Sequence, residues 1–321
     1  MDLLDKKIIT SLLGCSRQSY RKMANQMGVT FPTIKNRVDR LRQWGVIQRF
    51  SAEISHETLG VDWVMADIRT NGEERKSEIL QKLANHECIC EVFSLGAKDY
   101  IAFAEAEQCE INDFEIFLRE IQGVEEVEVS TMHQIPTRIT NGSCRYFTRG
   151  EKAELGKPHF DVLNCLMINA RVPVNIIALR TGYNVKQVRR ILKELMRNKG
   201  VHITLRLNLP SYGDVNFLLE MWGRFDRSKP VEVAEWLGTT FPQEYWYSMN
   251  TINRNSVLSY MTANDLTRVE EIIGHVYNQG TIDNVQARII YSVLRTDGKS
   301  EHFIRNHPSE TEQLSYSLLD S

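Results

Sequence analysis

Two stretches of this sequence place cationic and hydrogen-bonding side chains at helical spacing, and the chemistry they offer is recognition of a polyanion. In TFPTIKNRVDRL (30–41), Ile34, Val38 and Leu41 recur at i, i+4 and i+7 and define a buried stripe. At about 100° per residue, Pro32, Thr33, Asn36 and Arg40 face away from that stripe, with Lys35 on one flank. In NVKQVRRILKEL (184–195), the same geometry buries Val188, Leu192 and Leu195. It exposes Lys186, Gln187 and Arg190, flanked by Arg189 and Lys193. Hydroxyl, amide and guanidinium groups on one outward helical face are the groups that read base edges in a DNA major groove. Flanking cations hold phosphate instead, a role expected of Arg37, Arg42, Arg49, Arg189 and Lys193.

The two stretches are copies of one unit. MANQMGVTFPTIKNRVDRL (23–41) aligns without a gap with IALRTGYNVKQVRRILKEL (177–195), so that Ala24 meets Ala178, Gly28 meets Gly182 and Leu41 meets Leu195. Gly45-Val46 then matches Gly200-Val201, and LGVDWVMADI (59–68) matches YGDVNFLLEMW (212–222). A period of this kind decides the architecture. Each copy needs a scaffold for its outward face. Leu4, Ile8, Leu12 and Leu13 predict an amphipathic first helix, and Tyr20, Met23, Ala24 and Met27 a second one closed by Gly28. Thr30 caps the third, with Pro32 in its first turn. Three helices with a glycine turn before the third make a helix-turn-helix. The alternating segments VIQRFSAEI (46–54) and VHITLRLNL (201–209) read as β wings, expected to touch the DNA backbone.

Charge follows the same division. The net charge of −2 argues against a nucleic-acid partner only until it is resolved by segment. Residues 1–50 carry ten basic and three acidic side chains, and 157–206 carry ten and two. Residues 51–140 carry seven and nineteen, and 207–294 six and ten. Two basic modules alternate with two acidic ones, which points to two polyanion-facing elements. A chain of 321 residues, 42% hydrophobic and 25% charged, is an ordinary globular composition, which excludes collagen-like and disordered classes. No apolar run is long enough to span a bilayer, and MDLLDKKIITSLL does not read as a signal peptide, so a cytoplasmic location is expected. The six cysteines include one C-x-C and no C-x-x-C, so reduced thiols and no metal site are expected.

At this point the residues resemble the Lrp/AsnC (feast/famine) family of prokaryotic transcription regulators. The likeness rests on T-x-x-T-I-x-x-R-V-x-x-L at 30–41 followed by WGVI at 44–47, on SRQSYRKMA at 16–24, and on NAR then VPVNIIA at 169–178. It covers roughly 3–135 and 158–292 and is weakest in the second acidic module. The acidic modules read as β-α-β-β-α-β, the ferredoxin-like split fold. The expected class is therefore α+β: two winged helix-turn-helix domains (1–52 and 158–210) alternating with two ferredoxin-like β-α-β-β-α-β (RAM/AsnC-type) domains (53–135 and 211–294). A linker is expected at 136–157 and a flexible tail at 295–321.

The resemblance implies double-stranded promoter or operator DNA as partner, a pseudodimer or homo-oligomer, and no membrane. It also implies a small effector, such as an amino acid, at the loop between the central strands. That loop is LGAKD (95–99), where Gly96 would let a ligand carboxylate approach free N–H groups and Asp99 would meet an ammonium. The alternative is that both are only a hairpin turn. In the second copy TINRN (251–255) lacks the glycine and sets Asn255 roughly opposite Asp99, so an equivalent site is not expected there. Trp222, Trp236, Trp246, Tyr245 and Tyr247 are read chiefly as sheet core.

The sequence holds no phosphate loop, dinucleotide fingerprint, H-E-x-x-H or G-x-S-x-G, so no enzyme activity and no cofactor are expected. One enzyme alternative comes from the resemblance: sirohaem decarboxylases resemble this family and some are fused two-copy chains. Their His- and Arg-rich central strands correspond here to SLGAKDY (94–100) and SMNTINRNS (248–256), with one arginine, Arg254, and no histidine.

Overall fold

The computed structural model describes residues 1–135, 151–223, 225 and 229–307. The first module comprises α1 (Leu3–Gly14), α2 (Tyr20–Met27), α3 (Phe31–Gln43) and β1 (Ile47–Ile54). Local chemistry sets these ends. Ser19 accepts from the Lys22 amide at the start of α2, and Thr30 from the Thr33 amide at the start of α3. Between the two helices the chain turns through Gly28 at φ 67°, where a Cβ would be strained. Ile8, Leu12, Met23, Ile34, Val38 and Leu41 close the core, each worth about 1.5–3 kcal/mol on full burial. After α4 (His56–Leu59) come β2 (Asp62–Thr70), α5 (Lys76–Ala84), β3 (Ile89–Ser94), β4 (Asp99–Ala106), α6 (Ile111–Glu120) and β5 (Val124–Gln134), in β-α-β-β-α-β order.

The second copy repeats the plan. α7 (Lys157–Ile168), α8 (Val174–Thr181), α9 (Val185–Arg197) and β6 (Val201–Leu207) form its helix-turn-helix, with Asn184 and Gln187 in a reciprocal capping box. β7 (Val215–Trp222), α10 (Lys229–Thr240), β8 (Tyr245–Thr251), β9 (Ser256–Ala263), α11 (Leu266–Tyr277) and β10 (Asn284–Ile290) follow. The boundary expected at residue 52 falls inside β1, and the expected linker lies mostly at 136–150, outside the described residues.

Strand alternation decides how the two halves meet. Val64, Ala66 and Ile68 point to one face of β2 and pack under α5 and α6, while Trp63 and Met65 point to the other. Phe217 and Leu219 do the same under α10 and α11, leaving Leu218 inward. The nine antiparallel strands run β10-β7-β9-β8-β5-β2-β4-β3-β11, where β11 is Ser292–Arg295. Because only Tyr291 separates β10 from β11, one run of chain borders both ends of that order, and the ladder closes on itself. Within this ladder the halves join at two places: Met132–Gln134 on β5 pairs with β8, and β11 pairs with β3. Of the aromatic group in the second half, Tyr245 and Trp246 are buried, and the Trp246 indole donates to Thr262 Oγ1 at 3.1 Å.

The wings have a partner that alternation did not show: β1 and β6 pair with each other, from Ile47 opposite Leu207 to Ile54 opposite Val201. Each wing also packs on the other half's first helix. Ser51 Oγ donates to the Met167 carbonyl and, opposite it in register, Thr204 Oγ1 donates to the Leu13 carbonyl, both at 3.0 Å. Alternation marks a strand but not its partner. The segment expected as a flexible tail also begins with β11 and α12 (Lys299–Arg305), in which Ser300, Glu301 and Ile304 are buried. Its polar composition concealed this because its polar groups are paired inside the protein. Residues 308–321 lie outside the described residues.

Candidate nucleic-acid interface

α9 presents the face that its periodicity predicts. Val188, Ile191, Leu192 and Leu195 are buried, and Lys186, Gln187, Arg189, Arg190 and Lys193 are exposed. Lys186, Arg189 and Lys193 make no ion pair among the described residues; Arg190 has only a loose i,i+4 contact with Glu194 at 3.7 Å. The carbonyl oxygen of Gln187 accepts from the Asn184 amide at 3.1 Å, which leaves its NH2 group facing outward as a donor.

On α3 the outcome is mixed. Pro32, Lys35, Asn36 and Arg42 are exposed; Thr33 is half-buried, with its hydroxyl 2.8 Å from that of Thr30. Arg42 lies over the Phe50 ring. Arg37 and Arg40, expected at the DNA, both turn back onto α1. Arg37 contacts Asp2 and reaches Asp5 Oδ1 at 3.0 Å, and Arg40 Nη2 lies 3.0 Å from Asp5 Oδ2. Asp5 is fully buried and also accepts from the Tyr212 hydroxyl at 3.2 Å, while Trp44 covers the Arg40 guanidinium. Hydrogen bonds from Arg37 to Asp2 and Asp5 raise the Arg37 pKa. Burial works to raise the Asp2 carboxyl, but the hydrogen bonds from Arg37 and from the Asp5 amide outweigh it and hold the group below its ordinary value. Helical angle gives a side chain's direction and not its partner. A signal existed, since two of the three acids in 1–50 stand one turn apart at Asp2 and Asp5.

Arg49, expected on phosphate, is likewise paired within the chain. It stands in the paired wings opposite Arg206, and both are held by the arm after β11: Glu301 takes a hydrogen bond from Arg49 at 3.4 Å and contacts Arg206, with Asp297 beside both. Burial lowers the pKa of both arginines. Below this clamp, His56 meets Glu105 at 3.2 Å and Arg295 meets Glu91 at 2.8 Å, around a cavity of about 60 Å³.

Asp99 opens β4 and pairs with Arg69 at 3.1 Å, so its cationic partner in the structure is a guanidinium. A Cβ on Gly96 would meet no atom within 4 Å, so packing does not demand glycine there. The two residues are joined by the short hairpin in which the Leu95 amide donates to the Asp99 carbonyl. In the second half Ser256, rather than Asn255, holds the matching register: Asp99 faces Arg69 and Ser256 faces Trp222. Asn255 instead makes the turn itself, at φ 49°, a conformation asparagine tolerates. Leu95 and Asp99 border a cavity of about 680 Å³ where the halves meet. Four of its residues, absent from the expected site, form an ion network: Arg288 reaches Asp67 at 2.5 Å and Glu220 at 3.0 Å, and Arg254 pairs with Asp67 and lies 3.7 Å from Glu220. No sequence signal joins them, because each half supplies only part.

Among the described residues no group of His, Cys, Asp or Glu is arranged to hold a metal ion, and no helix is long and apolar enough to cross a membrane. The family pattern "Winged helix-turn-helix DNA-binding" matches residues 1–48. An uncharacterized HTH-type transcriptional regulator of Pyrococcus horikoshii is 31% identical over 138 residues, which are 42% of this chain and 90% of that protein. The HTH-type transcriptional regulator FL11 of Pyrococcus furiosus is 33% identical over 128 residues, 39% of this chain and 84% of its own length. The chain belongs to the Lrp/AsnC family of HTH-type transcriptional regulators.

Each of these relatives matches less than half of this Lrp/AsnC chain, in keeping with its duplication. A likeness over the whole length is to the solved siroheme decarboxylase NirDL, with a TM-score of 0.57 that covers 95% of this chain and 97% of that one. At 11% identity that is a likeness of fold. The same architecture therefore carries this Lrp/AsnC chain and an enzyme, and side chains have to decide between the two roles.

Proposed function

We propose that this Lrp/AsnC chain is a cytoplasmic, sequence-specific DNA-binding regulator of transcription that contacts promoter or operator duplexes through both of its helix-turn-helix units. The observation that carries the proposal is the exposed cationic face of α9, where Lys186, Arg189 and Lys193 flank the outward Gln187 on a capped, well-packed helix. Asn36 and Pro32 occupy the matching outward positions of α3. In this reading 1–54 and 157–207 are the DNA-binding units and the closed nine-stranded ladder joins them as a pseudodimer within one chain. Selection of bound duplexes from a random pool, followed by footprinting, tests the reading; a chain that enriches no sequence would refute it.

We further propose that a small effector, an amino acid, binds through the Gly96–Asp99 loop beside the 680 Å³ cavity. The space and the mixed charges of Arg69, Asp99, Arg254 and Glu220 support a ligand with both an ammonium and a carboxylate. Calorimetry with an amino-acid panel is the test, and heat of binding that survives Gly96→Trp would remove the site. The decarboxylase alternative has less support: the cleft that gathers His56, Glu105 and Arg206 holds about 60 Å³ beneath α12, against about 300–1,000 Å³ for an ordinary organic ligand pocket.

A further inference from the structure

We infer that the two helix-turn-helix units divide their work: the second anchors the chain to DNA phosphates, and the first, with Arg37 and Arg40 of its third helix committed internally, reads bases. The inference rests on the DNA-binding reading and concerns which charges face the duplex.

Both modules carry ten basic side chains, yet in the first much of that charge is neutralised inside the protein. α3 carries Lys35, Arg37, Arg40 and Arg42 beside its own Asp39. Arg37 and Arg40 spend their charge on Asp2 and Asp5, whereas the wing arginines Arg49 and Arg206, one from each module, share Glu301 and Asp297. Asp5 has no solvent exposure, so swinging Arg37 and Arg40 toward a phosphate would strand a buried carboxylate. The cost of that exchange favours the internal pairs. What α3 still offers outward is two cations, Lys35 and Arg42, beside Pro32, Asn36 and the half-buried Thr33, and the last three suit base edges better than phosphate.

α9 is the opposite case. Lys186, Arg189, Arg190, Lys193 and Arg197 are all exposed, and Glu194 is its one carboxylate. The aligned positions explain the difference, because Asp5 corresponds to His159 and Arg40 to Glu194. In the second module His159 Nε2 meets Glu194 Oε2 at 3.3 Å, the same bridge between first and third helices with acid and base exchanged. Placing the acid on the third helix removes one cation there and ties none of its other cations to the first helix. Phosphate neutralisation releases counterions, so the salt dependence of binding counts the side chains that reach the backbone.

The experiment measures binding of the full chain to a random-sequence duplex of about 40 base pairs, some four helical turns, and to a pool selected from it, across a salt series. Lys186→Gln/Arg189→Gln/Lys193→Gln should weaken both duplexes by similar factors and flatten the log–log salt slope by about 2–3, near 0.9 per lost contact. Asn36→Ala should instead narrow the preference for the selected pool and leave the slope unchanged. Arg37 and Arg40 are tested as Asp5→Asn/Arg37→Gln/Arg40→Gln, which leaves no buried carboxylate unpaired and should keep the wild-type slope. The division is overturned if that triple variant flattens the slope as much as the α9 variant does, or if the α9 variant keeps the wild-type slope. Wild-type chain that binds neither duplex at any salt would instead overturn the DNA-binding reading itself.

Discussion

Arg49 and Arg206 stand opposite each other in the antiparallel register of the two wings, and a single carboxylate, Glu301, accepts from both. Two like charges are tolerable there because the arm that carries α12 brings Glu301 and Asp297 to them from the far end of the second half. The arm thereby fastens the helix-turn-helix layer to the strand layer, a link strengthened where the Ile54 amide donates to Ser300 Oγ at 2.8 Å.

Removing that carboxylate tests the fastening. Glu301→Gln removes the one carboxylate that accepts from both partly buried guanidinium groups, and it should lower stability by about 2–3 kcal/mol. Urea unfolding should record a lower midpoint at unchanged slope. An unchanged midpoint would mean that the arm is not held by this clamp.

The charge-exchanged bridges should differ in strength. Asp5 is fully buried between Arg37 and Arg40, so Asp5→Ala should cost about 3–5 kcal/mol. Glu194 is half exposed, and Glu194→Ala should cost no more than about 1 kcal/mol. Equal losses by chemical denaturation would show that burial does not set the difference.

Two carboxyls under the wings should respond to pH with opposite signs. Burial works to raise Glu105, but the hydrogen bond from His56 and backbone N–H groups of Ser300 and Lys299 outweigh it, so its native pKa lies below the ordinary value near 4.5. Its stabilisation is present above that value and is lost as pH falls through the native pKa. Burial raises Glu53, against the pull of Arg206, so its ionised form is penalised in the native state. That penalty grows as pH rises from about 4.5 through the raised native value. Glu105→Gln should therefore destabilise at neutral pH and converge on wild type in acid. Glu53→Gln should stabilise at neutral pH and likewise converge. Thermal midpoints across a pH series would check both signs; the same sign for the two variants would contradict the assignment.

The operator should be asymmetric. Pro32, Thr33 and Asn36 on α3 differ from Lys186, Gln187 and Arg190 at the surface of α9, so the two half-sites should differ in base sequence. Footprinting that shows two identical inverted half-sites for each chain would contradict this.

The duplication, the helix-turn-helix units and the β-α-β-β-α-β order were legible because each rests on local chemistry. Ile34, Val38 and Leu41 keep a helical period, Ser19 and Thr30 cap the helices, and β2 alternates about Trp63 and Met65. Side-chain partners were less legible. Arg40 has the outward angle of a reading residue, yet Asp5, 35 residues earlier, turns it inward. Arg254 stood out as a lone arginine of the central strands, but its partner Asp67 comes from the other half.

The sequence by itself therefore determined the modules, their order and the stripe each helix buries, since those follow from spacing along one stretch of backbone. Only the tertiary structure decided that the wings pair with each other, that the arm from 296 to 307 docks beneath them, and which cations are tied to carboxylates inside the protein. Those outcomes depend on charges far apart in the chain meeting in a buried setting, where an ion pair is set by its partner and its desolvation more than by its position on a helix.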